Sequence, residues 1–374
     1  MKYLLTVSYR KAKKSRMDSF GIYLHIPYCR SKCRYCDFYS SPGARGVPQP
    51  YVDALLRELK LKKNTRRPDT LYFGGGTPGL LSPAQVAQLV EAAAPLPGAE
   101  ITLEANPDGV TAETLRGFRA AGVTRLSFGV QSADDAQLRR LGRTHTAARA
   151  AEALRLARDA GFPELCGDIM LALPHYTNAE FDATLALLRQ GGCTHISAYL
   201  LKIEPGTAFA RFPPDGLPDA DAAADFYLYA VRQLEAAGYR QYEISNFARP
   251  GHEGRHNLLY WNCRDYLGIG PAAHSCMAGL RSYWPDDVHS FIDGSATEQE
   301  EGVCDAEDFL LMQLRLTRGL DLQEYARWGG HFTAPQQAFL RQCEAAGYAR
   351  FDGGRLQLTP AGMVVQNAIL ENLL

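Results

Sequence analysis

The segment Cys29-Arg-Ser-Lys-Cys33-Arg-Tyr-Cys36 places three cysteines on one short stretch, directly after the apolar run 21–26. At this spacing three thiolates can turn toward a single point, and three sulfurs suit a soft, iron-rich centre. A structural zinc site takes four ligands, yet position 38, where a further cysteine could follow, is Phe38. The spacing predicts a 4Fe–4S cluster with one iron open to an exchangeable ligand. A zinc site that recruits a remote fourth ligand is the alternative.

Length, net charge and cysteine distribution limit the classes of protein to which the chain can belong. The chain has 374 residues, 46% hydrophobic and 22% charged, which is enough for a large domain and a smaller one. A formal net charge of −1 gives no basic field for nucleic acid. The six cysteines outside the first segment are scattered singly, which is not a disulfide framework and is typical of a reducing cytoplasm. We therefore expect a cytoplasmic globular protein that does not bind nucleic acid.

Residues 1–16 are predicted to be a poorly ordered extension. Their apolar part, 4–7, is too short for the core of a signal peptide, and the basic residues follow it instead of preceding it. No apolar stretch of the chain is long enough to span a bilayer.

From residue 21 onward, strand-like runs alternate with helix-like runs. This alternation predicts parallel strands joined by crossover helices, and both an open sheet and a barrel fit it. The six predicted strands are 22–26, 70–73, 100–104, 125–130, 165–171 and 195–200. In either architecture, ligands bind at the carboxyl ends of the strands.

Notable residues follow or end these strands. The triplet Gly74-Gly75-Gly76 either lets backbone amides approach a ligand or makes a tight turn that needs positive φ. Glu104 and Asp168 end apolar strands, as do Gln131 and Tyr199. A single carboxylate there is usually a cap or an ion-pair partner, whereas two that converge could hold an amine or ribose hydroxyls. Arg143 lies twelve residues after Gln131 and could pair with a carboxylate.

The alternation of strand-like and helix-like runs stops after Leu201. A proline- and glycine-rich loop and a helix over 219–237 precede an aromatic, glycine-rich region, 252–271. Helices over 306–316, 322–328 and 334–346 are followed by a hairpin over 350–358 and a last helix, which predicts a small winged-helix-like unit. We expect an extension at 1–16, a core over 17–300 and a C-terminal domain over 301–374.

His256 lies four and five residues before Tyr260 and Trp261. A histidine beside these rings could ligate a metal or a haem iron. By residue chemistry alone, an aromatic cluster with a hydrogen-bonded histidine is the favoured interpretation.

Several motifs together resemble the radical S-adenosylmethionine (radical SAM) superfamily and, within it, the oxygen-independent coproporphyrinogen III oxidase family. The resemblance rests on Tyr23-Leu-His25-Ile-Pro27-Tyr-Cys29-X3-Cys33-X2-Cys36, Tyr72-Phe-Gly74-Gly-Gly-Thr77-Pro78, Leu103-Glu104-Ala-Asn-Pro107, Phe128-Gly-Val-Gln131-Ser132, Asp168-Ile-Met and Leu267-Gly-Ile-Gly270-Pro-Ala-Ala-His274-Ser, in this order. The oxidases carry Cys-Gly-Cys where this chain has Cys36-Asp37-Phe38. That difference, with His256-Asn257-X2-Tyr260-Trp261, resembles the haem-chaperone branch named HemW.

The resemblance implies a partial barrel of six strand–helix units with a winged-helix-like C-terminal domain. It implies a 4Fe–4S cluster on Cys29, Cys33 and Cys36, with SAM on the open iron, and a reduced cluster would cleave SAM to a 5′-deoxyadenosyl radical. The SAM-binding residues that it implies are Tyr23, Gly75, Gly76, Thr77, Glu104, Gln131, Arg143, Asp168, Leu200 and His274, the last two through their backbones. One departure is Ala172, which stands where the family has the glycine of Gly-Leu-Pro.

The branch also implies haem as ligand, with His256 as the first candidate for its binding and Cys263 as the second. Its partners would be a haem-requiring recipient, such as a membrane-associated respiratory protein, and a second copy in a homodimer. In this branch the cluster either drives turnover, supports dimerisation or gates haem transfer. The alternative function is a radical SAM enzyme that acts on a tetrapyrrole, as the oxidase does.

Overall fold

Six parallel strands form the centre of the molecule, and a computed structural model describes it over residues 19–62 and 66–374. The predicted extension at 1–16 lies outside the described residues. The strands are β1 (Phe20–Ile26), β2 (Thr70–Gly75), β3 (Glu100–Ala105), β4 (Arg125–Gln131), β5 (Glu164–Leu171) and β6 (His195–Leu200). Each strand pairs in parallel with the next, in the order of the chain. This consecutive order is that of a barrel wall, and an open doubly wound sheet would reverse direction at a switch point.

Further strands extend this wall at both edges, so that twelve of the described strands form one sheet. Beyond β6 lie β8 (Asn246–Ala248) and β7 (Arg240–Glu243), and beyond β1 lie β9 (Asp265–Ile269), β10 (His274–Met277), β11 (Leu280–Tyr283) and β12 (Gln299–Val303). β9 runs parallel to β1, and the rest of that edge is antiparallel. The six-strand barrel is therefore partial, as predicted.

Helices cover the outer face of the wall. Those of the core are α1 (Gln49–Leu61), α2 (Pro83–Ala93), α3 (Ala112–Ala120), α4 (Asp135–Leu141), α5 (Ala147–Asp159), α6 (Asn178–Gly191), α7 (Ala208–Arg211), α8 (Ala220–Ala236), α9 (Arg255–Trp261) and α10 (Val288–Asp293). Ser82, Thr111 and Thr177 accept hydrogen bonds from the first turns of α2, α3 and α6, so the helices begin where capping residues satisfy their free amides. Among the described residues, no helix has the length and apolar character needed to cross a membrane.

The two faces of each strand differ, because successive side chains point in opposite directions. Leu71, Phe73, Leu103, Leu126 and Phe128 are fully buried and form the apolar core beneath the helices. The alternate residues are polar and surround a narrow interior space, for example Glu104, Ser127, Asp168 and Ser197. The hydrophobic core therefore lies outside the barrel wall, and the interior is free to present polar groups at its mouth.

A second, small sheet forms the C-terminal domain. It consists of β13 (Leu320–Asp321), β15 (Arg355–Leu358) and β14 (Ala349–Asp352), paired antiparallel, with α11 (Ala306–Gln313), α12 (Leu322–Arg327), α13 (Ala334–Ala345), α14 (Pro360–Val364) and α15 (Gln366–Glu371). Its core is separate and centres on Phe309, Leu310, Leu340 and Leu356. The boundary expected between residues 300 and 301 falls inside β12, which pairs with β11 of the large sheet.

The helical segment between β4 and β5 is divided into α4 and α5, because Gly142 ends α4 with a φ of 77°. The break matters for the site, since it brings Arg143 back toward the cysteine segment.

Candidate functional site

The cysteine segment is a loop that closes on itself after β1. The amide of Cys29 donates to the carbonyl of Ser41 at 3.0 Å, and the amide of Ala44 donates to the carbonyl of Cys29 at 3.0 Å. Within the loop, the Cys36 amide donates to the Cys33 carbonyl at 3.3 Å. All three cysteines are free thiols of intermediate exposure. The loop therefore presents three accessible sulfurs from a backbone that is held at both ends.

The glycine-rich turn after β2 packs directly against this loop. The amides of Gly76 and Thr77 donate to the carbonyls of Ile26 and Tyr28, each at 2.8 Å. Gly75 has a φ of 109°, and a Cβ on Gly76 would lie 2.8 Å from the Ile26 carbonyl oxygen. The turn therefore needs positive φ, which is one of the two expectations for the triplet, and its backbone packs closely on the cysteine loop.

A cavity of about 370 Å³ lies at the mouth of the partial barrel, between the loop and the strand ends. Of the ten SAM-binding residues that the resemblance implies, eight line it together with the three cysteines: Gly75, Gly76, Thr77, Glu104, Gln131, Arg143, Asp168 and Leu200. They come from the ends of five strands and from the segment after α4, so parallel pairing alone brings most of them to one place.

A chain of hydrogen bonds connects two of the cysteines across this cavity. The Thr77 hydroxyl donates to the Cys29 sulfur at 3.4 Å, and the Asn106 amide donates to Thr77 at 3.3 Å. Arg143 donates to the Asn106 oxygen at 2.6 Å and, through its other terminal nitrogen, to the Cys33 sulfur at 3.4 Å. These donors would stabilise negative charge on the two sulfurs and fix their positions.

Glu104 is the carboxylate with the most perturbed acidity at the mouth. Burial raises its pKa to about 7, although the Tyr72 hydroxyl donates to one of its oxygens at 2.6 Å and the Gly75 amide to the other at 3.2 Å. Burial also raises the pKa of Asp168, which accepts a hydrogen bond from the Ser127 hydroxyl at 3.0 Å. Two partly desolvated carboxyl groups can therefore bind hydroxyl or ammonium donors strongly, because little water competes.

Two of the ten residues lie elsewhere. Tyr23 is stacked against Tyr72 behind the strand end, and its hydroxyl lies 3.1 Å from Nδ1 of His25. The side chain of His274 is exposed on β10, within the part of the sheet that extends beyond β1, where it stacks on Tyr283 of β11. Neither residue lines the cavity. Tyr23 supports the wall of the site, and the structure does not bring His274 to it.

His256 is buried at the closed end of the barrel interior and is 2% exposed. Its Nδ1 lies 2.7 Å from the Thr70 hydroxyl and its Nε2 lies 2.7 Å from the Tyr260 hydroxyl. Burial lowers its pKa to about 3, so the ring is neutral. Haem ligation by His256 would require at least one of these hydrogen bonds to break and the buried ring to become accessible. Cys263, the second candidate, is also buried. The arrangement is that of a hydrogen-bonded histidine in an aromatic cluster.

Sequence reasoning missed several residues that line the mouth, namely Tyr35, Asn106, Ser127, Met170 and Lys202. Asn106 could have been found, since it stands two residues after Glu104 at a strand end and directly before Pro107. The period-2 alternation along β4 would have placed Ser127 on the same face as Gly129.

The zinc alternative has no ready ligand set. Among residues 19–62 and 66–374, no group of three or more histidine, cysteine, aspartate or glutamate side chains is arranged to hold a single metal ion. A cluster of several irons has room for sulfurs that stand further apart, and three thiolates on one short loop are a donor set suited to it.

Comparison with known protein families gives two matches. The radical SAM superfamily matches residues 23–188, and the HemN C-terminal domain matches residues 305–365. The first range contains the three cysteines and all but two of the expected SAM-binding residues. The second coincides with most of the small C-terminal domain.

Similar proteins cover nearly the whole chain. The heme chaperone HemW of Haemophilus influenzae is 35% identical over 95% of this chain and 98% of its own length. The heme chaperone HemW of Escherichia coli is 36% identical with the same coverage. The bovine mitochondrial radical S-adenosyl methionine domain-containing protein 1 is 35% identical over 95% of this chain and 87% of its own.

Among solved structures, coproporphyrinogen III oxidase (HemN) from Escherichia coli, a radical SAM enzyme, superimposes with a TM-score of 0.81. The match covers 98% of this chain and 92% of that one at 23% sequence identity. At this identity the likeness shows the fold alone, including the partial barrel and the C-terminal domain.

Proposed function

Because the chain belongs to the HemW family of the radical SAM superfamily, we propose that it is a haem chaperone, which binds haem and delivers it to haem-requiring proteins. One observation carries the proposal: relatives named heme chaperone HemW are 35–36% identical over 98% of their own length. Similarity on this scale includes both the cluster loop and the C-terminal domain, so it does not rest on a shared cofactor motif.

The radical SAM match implies a 4Fe–4S cluster and SAM. We assign the cluster to Cys29, Cys33 and Cys36, which line one cavity from one loop, and SAM to the rest of the same cavity, whose total volume is about 370 Å³. When bound, a reduced cluster supplies an electron that cleaves SAM at its sulfonium. The donor set fits the group, since three thiols leave one iron without a protein ligand.

The residues around the cavity would have different roles in holding the cluster sulfurs and in binding SAM. Thr77 and Arg143 donate to two of the sulfurs and hold them in place. Glu104, whose carboxylate already accepts from Tyr72 and Gly75, would accept a further hydrogen bond from the SAM ammonium or a hydroxyl. Asp168 and Gln131 would bind the ribose region. Leu200 would contact the adenine through its backbone from the end of β6.

A second candidate function is radical chemistry on a tetrapyrrole, and one observation favours it. The mouth keeps buried acidic and basic groups around the cysteines, namely Glu104, Asp168 and Arg143, so the cavity is equipped for a polar ligand whether or not SAM turns over. Against the oxidase stands Phe38, which is 63% exposed on the rim where the oxidases carry a cysteine.

One experiment separates these functions. Anaerobically reconstituted protein is titrated with haemin and, in a parallel sample, incubated with SAM, reductant and coproporphyrinogen III. The chaperone predicts a Soret band on haemin addition and transfer of that haem to an apo-haem protein. The enzyme predicts 5′-deoxyadenosine together with a decarboxylated porphyrin. Absence of a Soret band would reject haem binding, and zinc without iron in elemental analysis would reject both functions.

The recipient and the assembly state belong to the same proposal. We expect a haem-requiring respiratory protein at the membrane as the recipient and a homodimer as the working form. Size-exclusion chromatography with light scattering, on samples with and without the cluster, measures whether dimerisation depends on Cys29, Cys33 and Cys36. Haem transfer to membranes that contain an apo-cytochrome measures delivery.

A further inference from the structure

The nine histidines of the chain differ in whether their ring nitrogens form hydrogen bonds or ion pairs with the protein. Six have at least one ring nitrogen in a hydrogen bond or ion pair with the protein: His25, His145, His195, His252, His256 and His274. In the part of the chain that the structure describes, the other three, His175, His289 and His331, have no such partner, and all three are exposed. A histidine binds an external metal centre through one ring nitrogen that has no other partner, and in the described part of the chain both nitrogens of these three residues meet that condition.

Of these three, His175 lines a large cavity. His175 faces a cavity of about 620 Å³ beside the cluster loop, which Arg34, Arg140, Phe212 and Asp215 also line. This volume lies within the range of roughly 300–1,000 Å³ that is typical of small-molecule sites. The cavity is separate from the mouth of the barrel, because His175, Arg140 and Phe212 do not line the mouth.

The backbone conformation and a backbone hydrogen bond hold His175 in position. Its φ is 55°, a left-handed conformation that non-glycine residues rarely adopt, and its amide donates to the Gly216 carbonyl at 2.7 Å. The imidazole lies flat on Gly216, where a Cβ would stand 2.2 Å from Nε2 and 2.4 Å from Nδ1. A side chain at position 216 would therefore displace the ring. The glycine fixes the ring in place while its nitrogens stay free.

Two cations and an aromatic ring surround it. Arg140 donates to the carbonyl of Pro174, the residue before His175, at 3.4 Å. Neither Arg140 nor Arg34 forms an ion pair with a carboxylate among the described residues, although Asp215 lines the same cavity. Phe212 is 78% exposed and lines the cavity, so its ring is open to contact with a ligand. Within the described residues, the site thus joins an imidazole without a ring partner, two guanidinium groups without a carboxylate partner and an exposed apolar ring.

We propose that this cavity is the haem site, with His175 as the axial ligand of the iron. Haem is a flat, apolar macrocycle with a metal at its centre and two propionates at one edge. The macrocycle would pack on Phe212, and the propionates would pair with Arg34 and Arg140, whose planar groups suit carboxylates. Asp215 opposes the propionates and limits affinity, which suits a protein that must release its ligand. This inference rests on the proposed haem binding.

The site also adjoins the cluster loop through one residue. Arg34 lies between Cys33 and Cys36 in sequence; its amide donates to the Leu141 carbonyl at 3.0 Å, and its carbonyl accepts from the Phe209 amide at 2.9 Å. The backbone that carries two cluster ligands therefore forms part of the wall of the cavity. Assembly of the cluster would order this wall.

The test is a haemin titration of the full-length, anaerobically reconstituted protein. Soret difference spectra are recorded against the same sample without haemin, because the cluster also absorbs, and ferric haem is followed by electron paramagnetic resonance. His175→Ala is compared with His289→Ala and His331→Ala, the two other exposed histidines without a ring partner. We expect His175→Ala to weaken haemin binding at least about tenfold and to change the ferric signal, and added imidazole to restore that signal. The two controls should bind as the wild type does.

Two substitutions that change the charge of the cavity give an independent test of this haem site. Arg140→Glu should weaken haemin binding and Asp215→Asn should strengthen it, and these opposite signs decide the proposal if His175→Ala fails to fold. A wild type that binds haemin while His175→Ala binds it with the same affinity and spectrum overturns this site and leaves the proposed function intact. A wild type that binds no haemin overturns both.

Discussion

The guanidinium of Arg143 donates to the sulfur of Cys33 across 3.4 Å, although 110 residues separate them in the chain. The same side chain donates to Asn106, which donates in turn to Thr77, whose hydroxyl reaches Cys29. Two cluster ligands on one loop are thus oriented by a network that comes from three different strand–helix units. The geometry of the site depends on the whole barrel being folded.

Replacement of Arg143 by lysine should weaken SAM binding. Lysine keeps the charge but cannot contact Asn106, Gly129 and Cys33 at once, since it lacks the planar fork. A lost hydrogen bond to a charged group is worth about 1.5–3 kcal/mol, so we expect a fall in affinity of roughly ten- to a hundredfold. Anaerobic calorimetry measures it. Arg139→Lys, an exposed residue of α4, is the matched control, and equal affinity in both variants would contradict the assignment.

Cys33→Ser should abolish the visible absorbance of the cluster. With two thiolates left on the loop, the cluster loses one of its three anchors. Iron and acid-labile sulfide are measured after anaerobic reconstitution, and Cys343→Ser, a buried thiol of the C-terminal domain, should retain both. Full iron and sulfide content in Cys33→Ser would refute the ligand assignment.

SAM affinity should rise as the pH rises through the value of about 7 to which burial raises the pKa of Glu104. Below that value the carboxyl is protonated and cannot accept a further bond from an ammonium or hydroxyl group as a carboxylate does. In Glu104→Gln the affinity should be lower and its dependence on pH around 7 should be lost. A Glu104→Gln variant with the pH profile of the wild type would show that another group titrates.

The same group affects the stability of the protein without ligand. Its folded-state pKa lies above the ordinary value of 4.5, so the folded chain holds the proton more tightly. The resulting stabilisation is complete below about pH 4.5 and is lost as the pH rises to about 7. Glu104→Gln should therefore gain free energy of unfolding relative to the wild type at about pH 8 and lose this advantage in acid. Chemical denaturation at both pH values measures the difference.

His256→Ala should lower stability and leave haem binding unchanged. The substitution leaves the buried Thr70 and Tyr260 hydroxyls without partners, which costs about 1–3 kcal/mol for each group. The thermal midpoint and the haemin titration are measured on the same preparation. Loss of the Soret band in a variant that remains folded would make His256 the ligand after all and would contradict the role given to His175.

Gly76→Ala should impair cluster assembly more than it impairs folding. Its Cβ would meet the carbonyl oxygens of Ile26 and Tyr28 at 2.8 and 2.9 Å, which are backbone atoms and cannot rotate away. Such overpacking costs about 1–3 kcal/mol and would push the turn away from the cysteine loop. Gly98→Ala tests whether glycine loss alone matters, because its Cβ would meet nothing within 4 Å, although its φ of 77° adds strain. Normal iron content in Gly76→Ala would contradict this coupling.

By itself, the sequence determined the strands and most of the helices. Strand β6 has the bounds that its apolar pattern predicts, and Ser82, Thr111 and Thr177 begin their helices as capping residues do. These features depend on local chemistry, namely side-chain alternation, caps and breakers. The three-cysteine loop could also be predicted from the sequence, because its three proposed cluster ligands lie on one short segment.

Only the tertiary structure decided which polar residues meet. It placed Arg143 on the Cys33 sulfur and linked it through Asn106 to Thr77. It kept His274 outside the mouth and enclosed His256 between two hydroxyls. It also showed that His175, an ordinary loop residue in sequence, faces a cavity with two unpaired arginines. These side-chain contacts arise from the pairing of strands that are distant in sequence and from the burial of particular rings. Local patterns do not encode them, because each depends on contacts between segments far apart in the chain.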